Sequence, residues 1–464
     1  MSSPSQPKTQ KQINLLRGWP HASLLPTAAI TNAAQTALTN PSISTPGLLY
    51  GPDAGYEPLR EEIASWLSGF NSGSAAASTP VSGPADPDRI CITGGASQNL
   101  ACVLQVYSDP GYTRVWMVAP CYFLACRIFA DSGLKMAAVG EGKDGVDLEG
   151  LEKKLQEAEG IERKKLKTPK PWSKTYRNII YCVPTFSNPS GKTMTLPCRK
   201  SLVQLARKYD ALIITDDVYD FLQWPTTATS SIPASNKTTA LLPRLVDVDR
   251  TLDPIPSQDG FGNTVSNGSF SKIAGPGTRT GWAEASPKFT YGLSQCGSSR
   301  SGGAPSQLTA TIVCELLRSG ELGRHIEGVL VPAYQRRYGA LMDAIQRWLV
   351  PLGVTVGEVS SEGGIFGGFF VWVEMPAGVD SGVVARRAKE REGLVVAPGS
   401  MFEVEGDDSV KFDRGVRLCF AWVEEEELAE GVERLGRVVR EITEEGVTGR
   451  VDEGELGVDL GEFR

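Results

Sequence analysis

The run Asn178-Ile179-Ile180-Tyr181-Cys182-Val183, then Leu196 to Tyr209, then Ala211-Leu212-Ile213-Ile214-Thr215-Asp216-Asp217, decides the fold. The first and last stretches are short apolar runs rich in β-formers. The middle one sets Leu202, Leu205 and Ala206 among basic residues, the pattern of an amphipathic helix. Strand, helix, strand in that order predicts a βαβ unit, because two parallel strands need a crossover long enough to hold a helix. The fold class that follows is α/β, a mostly parallel sheet between helices. Asp216 and Asp217 close the second strand, at the end where such sheets place their ligands.

Outward from this unit, the bulk properties set limits. A chain of 464 residues predicts two closely associated domains. With 41% hydrophobic and 22% charged residues it has material for a large core. A net charge of −7 gives no electrostatic reason to expect nucleic acid or an anionic membrane as partner. No apolar run is long enough to span a bilayer. The first residues, Met1 to Gln10, lack the apolar stretch of a secretory signal. The absence of acidic residues before Asp53 is faintly like a mitochondrial presequence, but the regular part begins near Ile13, so a cytoplasmic location is expected. The nine cysteines are irregularly spaced in apolar stretches, which predicts reduced, buried thiols. Two histidines, His21 and His325, and no CxxC pair predict no metal site.

The strongest chemical signal is Ser269-Phe270-Ser271-Lys272, continuing to Arg279. A lysine that follows a strand can be desolvated, which lowers its pKa and frees the amine for attack on a carbonyl. The two serines and Arg279 supply hydrogen bonds and charge for a phosphate beside it. Upstream, Thr93-Gly94-Gly95-Ala96-Ser97-Gln98 turns into an apolar helix whose first N–H groups attract an anion. Between them lie Asn188-Pro189-Ser190-Gly191 and Thr215-Asp216-Asp217-Val218-Tyr219.

In this order and spacing the pieces resemble the class I/II aminotransferases of pyridoxal-5′-phosphate (PLP) fold type I. The resemblance runs from about Ile13 to about Ile442, with a local texture nearest the kynurenine/2-aminoadipate aminotransferase branch and its fungal relatives. It implies PLP as cofactor, Lys272 as the catalytic Schiff-base lysine, and Arg279, Ser269, Ser271, Ala96, Ser97 and Gln98 around the phosphate. It implies Asp216 at the pyridine nitrogen, with Tyr219 and Asn188 at the ring's 3-oxygen. Tyr122, in Ala119-Pro120-Cys121-Tyr122, takes the place of the ring-stacking aromatic, although relatives often carry Glu where this chain has Ala119. Tyr50, in Tyr50-Gly51 with Gly55, Leu59 and Arg60 following, takes the place of a tyrosine that reaches the neighbouring subunit's cofactor, so a homodimer is implied. Arg417, in Val416-Arg417-Leu418-Cys419-Phe420, takes that of the arginine gripping the substrate α-carboxylate, with Gly18 and Asn188 beside the substrate.

The expected organisation follows: a tail over 1–11, a segment 12–46 serving the small domain and the substrate site, a large cofactor domain over 47–320, a small α+β domain over 321–445, and a flexible acidic tail over 446–464. The expected reaction passes an amino group from an aromatic, 2-aminoadipate or long-chain apolar L-amino acid to a 2-oxo acid. The same cofactor residues also serve chemistry resembling 1-aminocyclopropane-1-carboxylate synthase, a C–S lyase or a γ-replacement enzyme. Leu15, Leu16, Trp19, Leu24 and Leu25 read either as an apolar substrate lining or as packing. Ser68–Asp86, Glu159–Thr175 and Pro225–Gly262 read as surface loops, the last with an apolar island at Leu241–Val246. Leu322–Trp348 reads as a helix, Gly367–Glu374 as one strand, Val384–Lys389 as a short helix, and Arg417–Ala421 as a strand before an acidic helix over Glu424–Ile442.

Overall fold

A computed structural model describes residues 11–71, 85–168, 170–225, 239, 240, 242–252, 259–300, 302, 305–357 and 364–446. Residues 1–10 of the expected tail, 72–84 of the first loop, 169 of the second, 226–238, 241 and 253–258 of the third, and 447–464 of the acidic tail lie outside the described residues.

Seven strands form the main sheet: β1 (Ile90–Thr93), β2 (Arg114–Ala119), β3 (Lys135–Gly140), β4 (Asn178–Cys182), β5 (Ala211–Asp216), β6 (Thr264–Ser269) and β7 (Gly281–Glu284). Their spatial order is β1-β7-β6-β5-β4-β2-β3. All neighbours are parallel except β7, which runs antiparallel to both β6 and β1. The βαβ reading stands: β4 and β5 pair in parallel, joined through the helix Leu196–Lys208. Alternate residues feed two cores. Val115, Met117, Ile179, Leu212 and Ile214 pack on one face, and Trp116, Ile180, Cys182 and Ile213 on the other. Burial on both faces explains the unbroken apolar runs, each fully covered Ile or Leu contributing about 1.5–3 kcal/mol.

A second, antiparallel sheet has the order Thr355–Val356, Phe370–Glu374, Gly415–Cys419, Ala397–Pro398. The long helix Glu425–Glu445 packs against the helices Val331–Trp348 and Ser381–Glu392, burying Leu428, Val432, Leu435, Val439 and Ile442 along one stripe. The N-terminal segment joins this part of the molecule: Ile13 and Asn14 pair with Leu394 and Val395, and the Cys419 N–H donates to the Leu15 carbonyl at 2.8 Å.

Three expectations need correction. Gly367–Glu374 is not one strand. Ile365–Gly367 pairs with Gln223–Pro225, and the left-handed Gly368 (φ 73°) turns the chain before Phe370 enters the other sheet. The apolar island opens a buried helix, Leu245–Thr251, with Leu245 and Val248 in the core against the helix Leu196–Lys208. Apolar side chains at helical spacing found a face to cover, which a surface loop does not offer. The loop expected from Ser68 begins later, since the helix Glu57–Asn71 continues through Phe70, which is buried. Leu322–Trp348 is helical throughout but widens into one π turn at Ile326–Leu330. The other two small-unit helices are longer than read, Ser381–Glu392 and Glu425–Glu445, and the strand between them is Gly415–Cys419. The nine cysteines are unpaired and buried.

Candidate active site

The C-terminal ends of β1, β2, β4, β5 and β6 lie along one edge of the sheet, and each leads into a sequence-predicted residue. After β6 a single 3-10 turn, Phe270–Lys272, carries Lys272. Its Nζ donates to the Gly18 carbonyl at 2.8 Å and sits 5.1 Å from the Phe369 ring centre and 5.9 Å from that of Tyr219. Burial lowers the Lys272 pKa to about 8; Cys419 and Asp216 oppose that shift and Arg417 adds to it. The last residue of β5 is Asp216. Tyr181 Oη donates to its Oδ2 at 3.0 Å, and its Oδ1 is buried without a hydrogen-bond partner. Burial raises Asp216 to about 7 against the pull of Tyr181 and Lys272.

Arg417, in the second sheet, reaches the same place. Its Nη1 donates to Asn188 Oδ1 at 2.7 Å and its Nη2 to the Leu16 carbonyl at 2.5 Å. Its guanidinium lies over Phe370, 4.0 Å from the ring centre, and near Phe402 at 4.9 Å. Burial lowers its pKa to about 10. Tyr122 and Tyr219 lie within electrostatic range of both Asp216 and Arg417, and burial pushes both phenols up.

A second cluster adjoins Lys272. Arg279 Nη2 donates to the Gly94 carbonyl at 2.8 Å and Nη1 to Ser271 Oγ at 3.3 Å, while Ser269 Oγ donates to Ser271 Oγ at 3.0 Å. Gly95 (φ 98°) is required here, since a Cβ would meet Arg279 Nη2 at 2.6 Å. Gln98 Oε1 accepts from the Gly94 N–H at 2.9 Å, and the exposed Ser97 stands at the start of the helix Ala96–Tyr107. Helix N–H groups, hydroxyls and a guanidinium together make an anion site.

Tyr50 lies outside this group. It is 89% exposed, next to Gly302, in a surface groove with Arg300 and Gln307. Leu15 and Leu16 are core residues, so packing accounts for them, while Trp19 is 38% exposed and meets Trp422 edge-on. Sequence reading missed Tyr181, Phe369, Phe370 and the Leu16 carbonyl. Tyr181 was reachable by register: it pairs with Ile214, two residues before Asp216 on the adjacent strand. Among the described residues no group of His, Cys, Asp or Glu is arranged for a metal, and no helix is long and apolar enough to cross a membrane.

The donor set tests the cofactor directly. A buried carboxylate with one oxygen unpartnered calls for a cationic N–H, a desolvated lysine for an aldehyde, and the neighbouring helix start for a phosphate. PLP carries all three complements, so the residues fit it.

Comparison with known proteins agrees. The family model for aminotransferase class I and II matches residues 11–435. An uncharacterized protein of Saccharomyces cerevisiae is 34% identical over 93% of this chain and 97% of its own. The 2-aminoadipate transaminase of Thermus thermophilus is 29% identical, over 91% of this chain and 89% of its own. Among solved structures, the α-aminoadipate aminotransferase LysN of Thermus thermophilus, complexed with N-(5'-phosphopyridoxyl)-L-leucine, has a TM-score of 0.71 at 28% identity, covering 93% of each chain. The chain therefore belongs to the aminotransferase class I and II family and is a PLP-dependent transaminase of fold type I.

Proposed function

We propose that this transaminase takes its amino group from an aromatic, 2-aminoadipate or long-chain apolar L-amino acid and passes it to a 2-oxo acid. The observation that carries the site assignment is the meeting of the half-buried Lys272 with the buried Asp216 and Arg417, three charged groups from three separate elements, each shifted by desolvation. The substrate range is supported by relatives whose names specify aromatic amino acids, 2-aminoadipate and kynurenine.

In this reading Asp216 would hold the pyridine nitrogen, Tyr219 and Asn188 the 3-oxygen, and Tyr122 a ring face. Ala96, Ser97, Gln98, Ser269, Ser271 and Arg279 surround the phosphate. PLP, when bound, supplies an electron-accepting ring that eases loss of the Cα proton. Asp216, ionised, favours the protonated ring nitrogen. Arg417 grips the α-carboxylate with two parallel hydrogen bonds, flanked by Asn188 and Gly18. Lys272 Nζ would hold the cofactor and, once released, would be the base that takes the Cα proton and the acid that gives it back. Residues 47–320 form the cofactor unit, and 12–46 with 321–445 the unit that carries the carboxylate grip. Two copies pair so that Tyr50 serves the neighbour's phosphate, and the enzyme works in the cytoplasm.

Borohydride reduction of the holoenzyme followed by peptide mapping tests the centre of this reading. The pyridoxyl label is expected on Lys272 and absent in Lys272→Ala, whereas a label elsewhere overturns the assignment. A half-reaction screen with L-phenylalanine, L-2-aminoadipate and L-leucine, followed by absorbance, then ranks the substrates.

A further inference from the structure

One buried acid near the site has no part in the scheme above. Glu141 follows β3, and its N–H donates to the Ala119 carbonyl at the end of β2. Its carboxylate is turned inward beneath the Asn188-Pro189-Ser190-Gly191 turn. Ser190 Oγ donates to Glu141 Oε1 at 2.8 Å, and Lys192 Nζ stands 3.6 Å from Oε2. The Ser187 hydroxyl also hydrogen-bonds it. Three side chains of one turn thus converge on a single carboxylate. The turn is closed on itself by the Ser187 N–H donating to the Lys192 carbonyl at 2.9 Å and the Gly191 N–H to the Ser187 carbonyl at 2.7 Å. Glu141, Lys192, Ser187, Asn188 and Tyr122 are among the residues that line a small cavity there, which places the acid and the turn against one shared space.

We propose that Glu141 is a positioning residue for substrate binding: it clamps the turn so that Asn188 holds Arg417 in the orientation that receives the α-carboxylate. The chain of contacts is continuous, from Glu141 through Ser190 and the turn to Asn188 Oδ1, and across 2.7 Å to Arg417 Nη1. Burying a carboxylate is unfavourable without compensating partners. Burial raises Glu141 to about 7, with Lys192 and the two serines drawing it back down, so the clamp is held at a cost that packing alone does not require. The other acids at the rim of this loop serve the fold more cheaply. Asp147, for example, caps an exposed helix start by accepting from the Gly150 N–H.

This inference rests on the reading of Arg417 and Asn188 as the carboxylate grip, and the test separates the two. Holoenzyme carrying Glu141→Gln, Ser190→Ala, Asn188→Ala, or Asn188→Ala with Glu141→Gln is compared with the parent in transamination of L-phenylalanine and L-2-aminoadipate. Glu141→Gln is expected to raise KM about 10-fold and Ser190→Ala about 3-fold, with kcat held within about 2-fold. In the Asn188→Ala background Glu141→Gln adds less than about 2-fold, because the contact it acts through is already gone. An equal effect in both backgrounds, or KM unmoved in Glu141→Gln and Ser190→Ala, overturns the proposal. Ser190→Ala removes one hydroxyl and carries the same test if Glu141→Gln fails to fold. Borohydride mapping of the same preparations shows where a failure lies. KM raised in Asn188→Ala but unmoved in Glu141→Gln and Ser190→Ala, with the label on Lys272, sinks the clamp alone, whereas KM unmoved in Asn188→Ala as well sinks the grip beneath it.

Discussion

Arg199 and Arg417 are both fully buried, at 0% exposure, yet they are built differently. Arg199, in the helix Leu196–Lys208, is surrounded by acceptors. Nε donates to the Met194 carbonyl at 2.9 Å, Nη1 to that of Pro243 at 2.9 Å, and Nη2 to the Pro184 carbonyl at 3.1 Å and Thr185 Oγ1 at 2.9 Å. It knots together the chain after β4 and the segment entering the helix Leu245–Thr251. Arg417 has two acceptors, a buried Nε with no hydrogen-bond partner, and a flat face laid on Phe370. Burial therefore does not mark a functional cation. At Arg417 it is the edge left short of acceptors together with the nearness of Lys272 and Asp216 that points to a ligand, because Arg434 too has a buried Nε without a partner yet only ties the C-terminal helix to the Lys11 and Glu392 carbonyls.

The largest expected effect tests the open arginine. Arg417→Ala removes the two-point grip and should lower kcat/KM about 1000-fold or more, since a site built to hydrogen-bond a substrate group loses heavily without that bond. The Leu16 carbonyl and Asn188 Oδ1 lose their donor in the same variant, so kcat/KM is read per folded molecule. Activity within 10-fold of the parent would erase the distinction between the two arginines. Arg199→Met should show the reverse. Stranding three carbonyls and a hydroxyl costs roughly 3 kcal/mol or more in denaturant unfolding, while kcat/KM per folded molecule stays within about 3-fold. A variant as stable as the parent but poorly active would place Arg199 in the site instead.

The same contrast explains what could be read from sequence. Asp216 was legible because it closes a strand whose apolar run declares itself, and strand ends of a parallel sheet share an edge; Lys272 was legible from its flanking serines and Arg279, and Asn188 and Tyr122 through the resemblance. Arg417 was legible only through its resemblance to a known strand, since nothing local tells an open guanidinium from a satisfied one. The acceptors that complete the site were hidden. Leu16 and Gly18 act through carbonyl oxygens, which carry no side-chain signature, and they reach Arg417 and Lys272 from the far end of the chain. Arg244 was hidden for a related reason: its ion pairs with Asp247 and Glu284 are buried, so residues 242–249 read as surface when they are core. Periodicity reports which face is apolar, and it is silent where buried charges neutralise one another.

The smallest effect is the most discriminating. Attack on the PLP aldehyde needs Lys272 as the free amine, so the rate of PLP capture by apoenzyme should rise with pH and level off above about 8, far below the ordinary lysine range. Lys272 is protonated below that point, held there by burial first and by the Arg417 charge in addition, while Asp216 and Cys419 pull the other way. Removing the Arg417 charge takes away one of the terms that favour the neutral amine, and admitting water weakens the other. Both act in the same direction, so Arg417→Ala should move the inflection upward. Arg199→Met, which alters a cation absent from the influences on Lys272, should leave it in place. Stopped-flow absorbance of PLP uptake between pH 6 and 10 reads both variants against the parent. An inflection that stays fixed in Arg417→Ala, or shifts equally in the two variants, would mean that the open arginine is not electrically part of the lysine's surroundings, and the contrast drawn between them would reduce to hydrogen bonding alone.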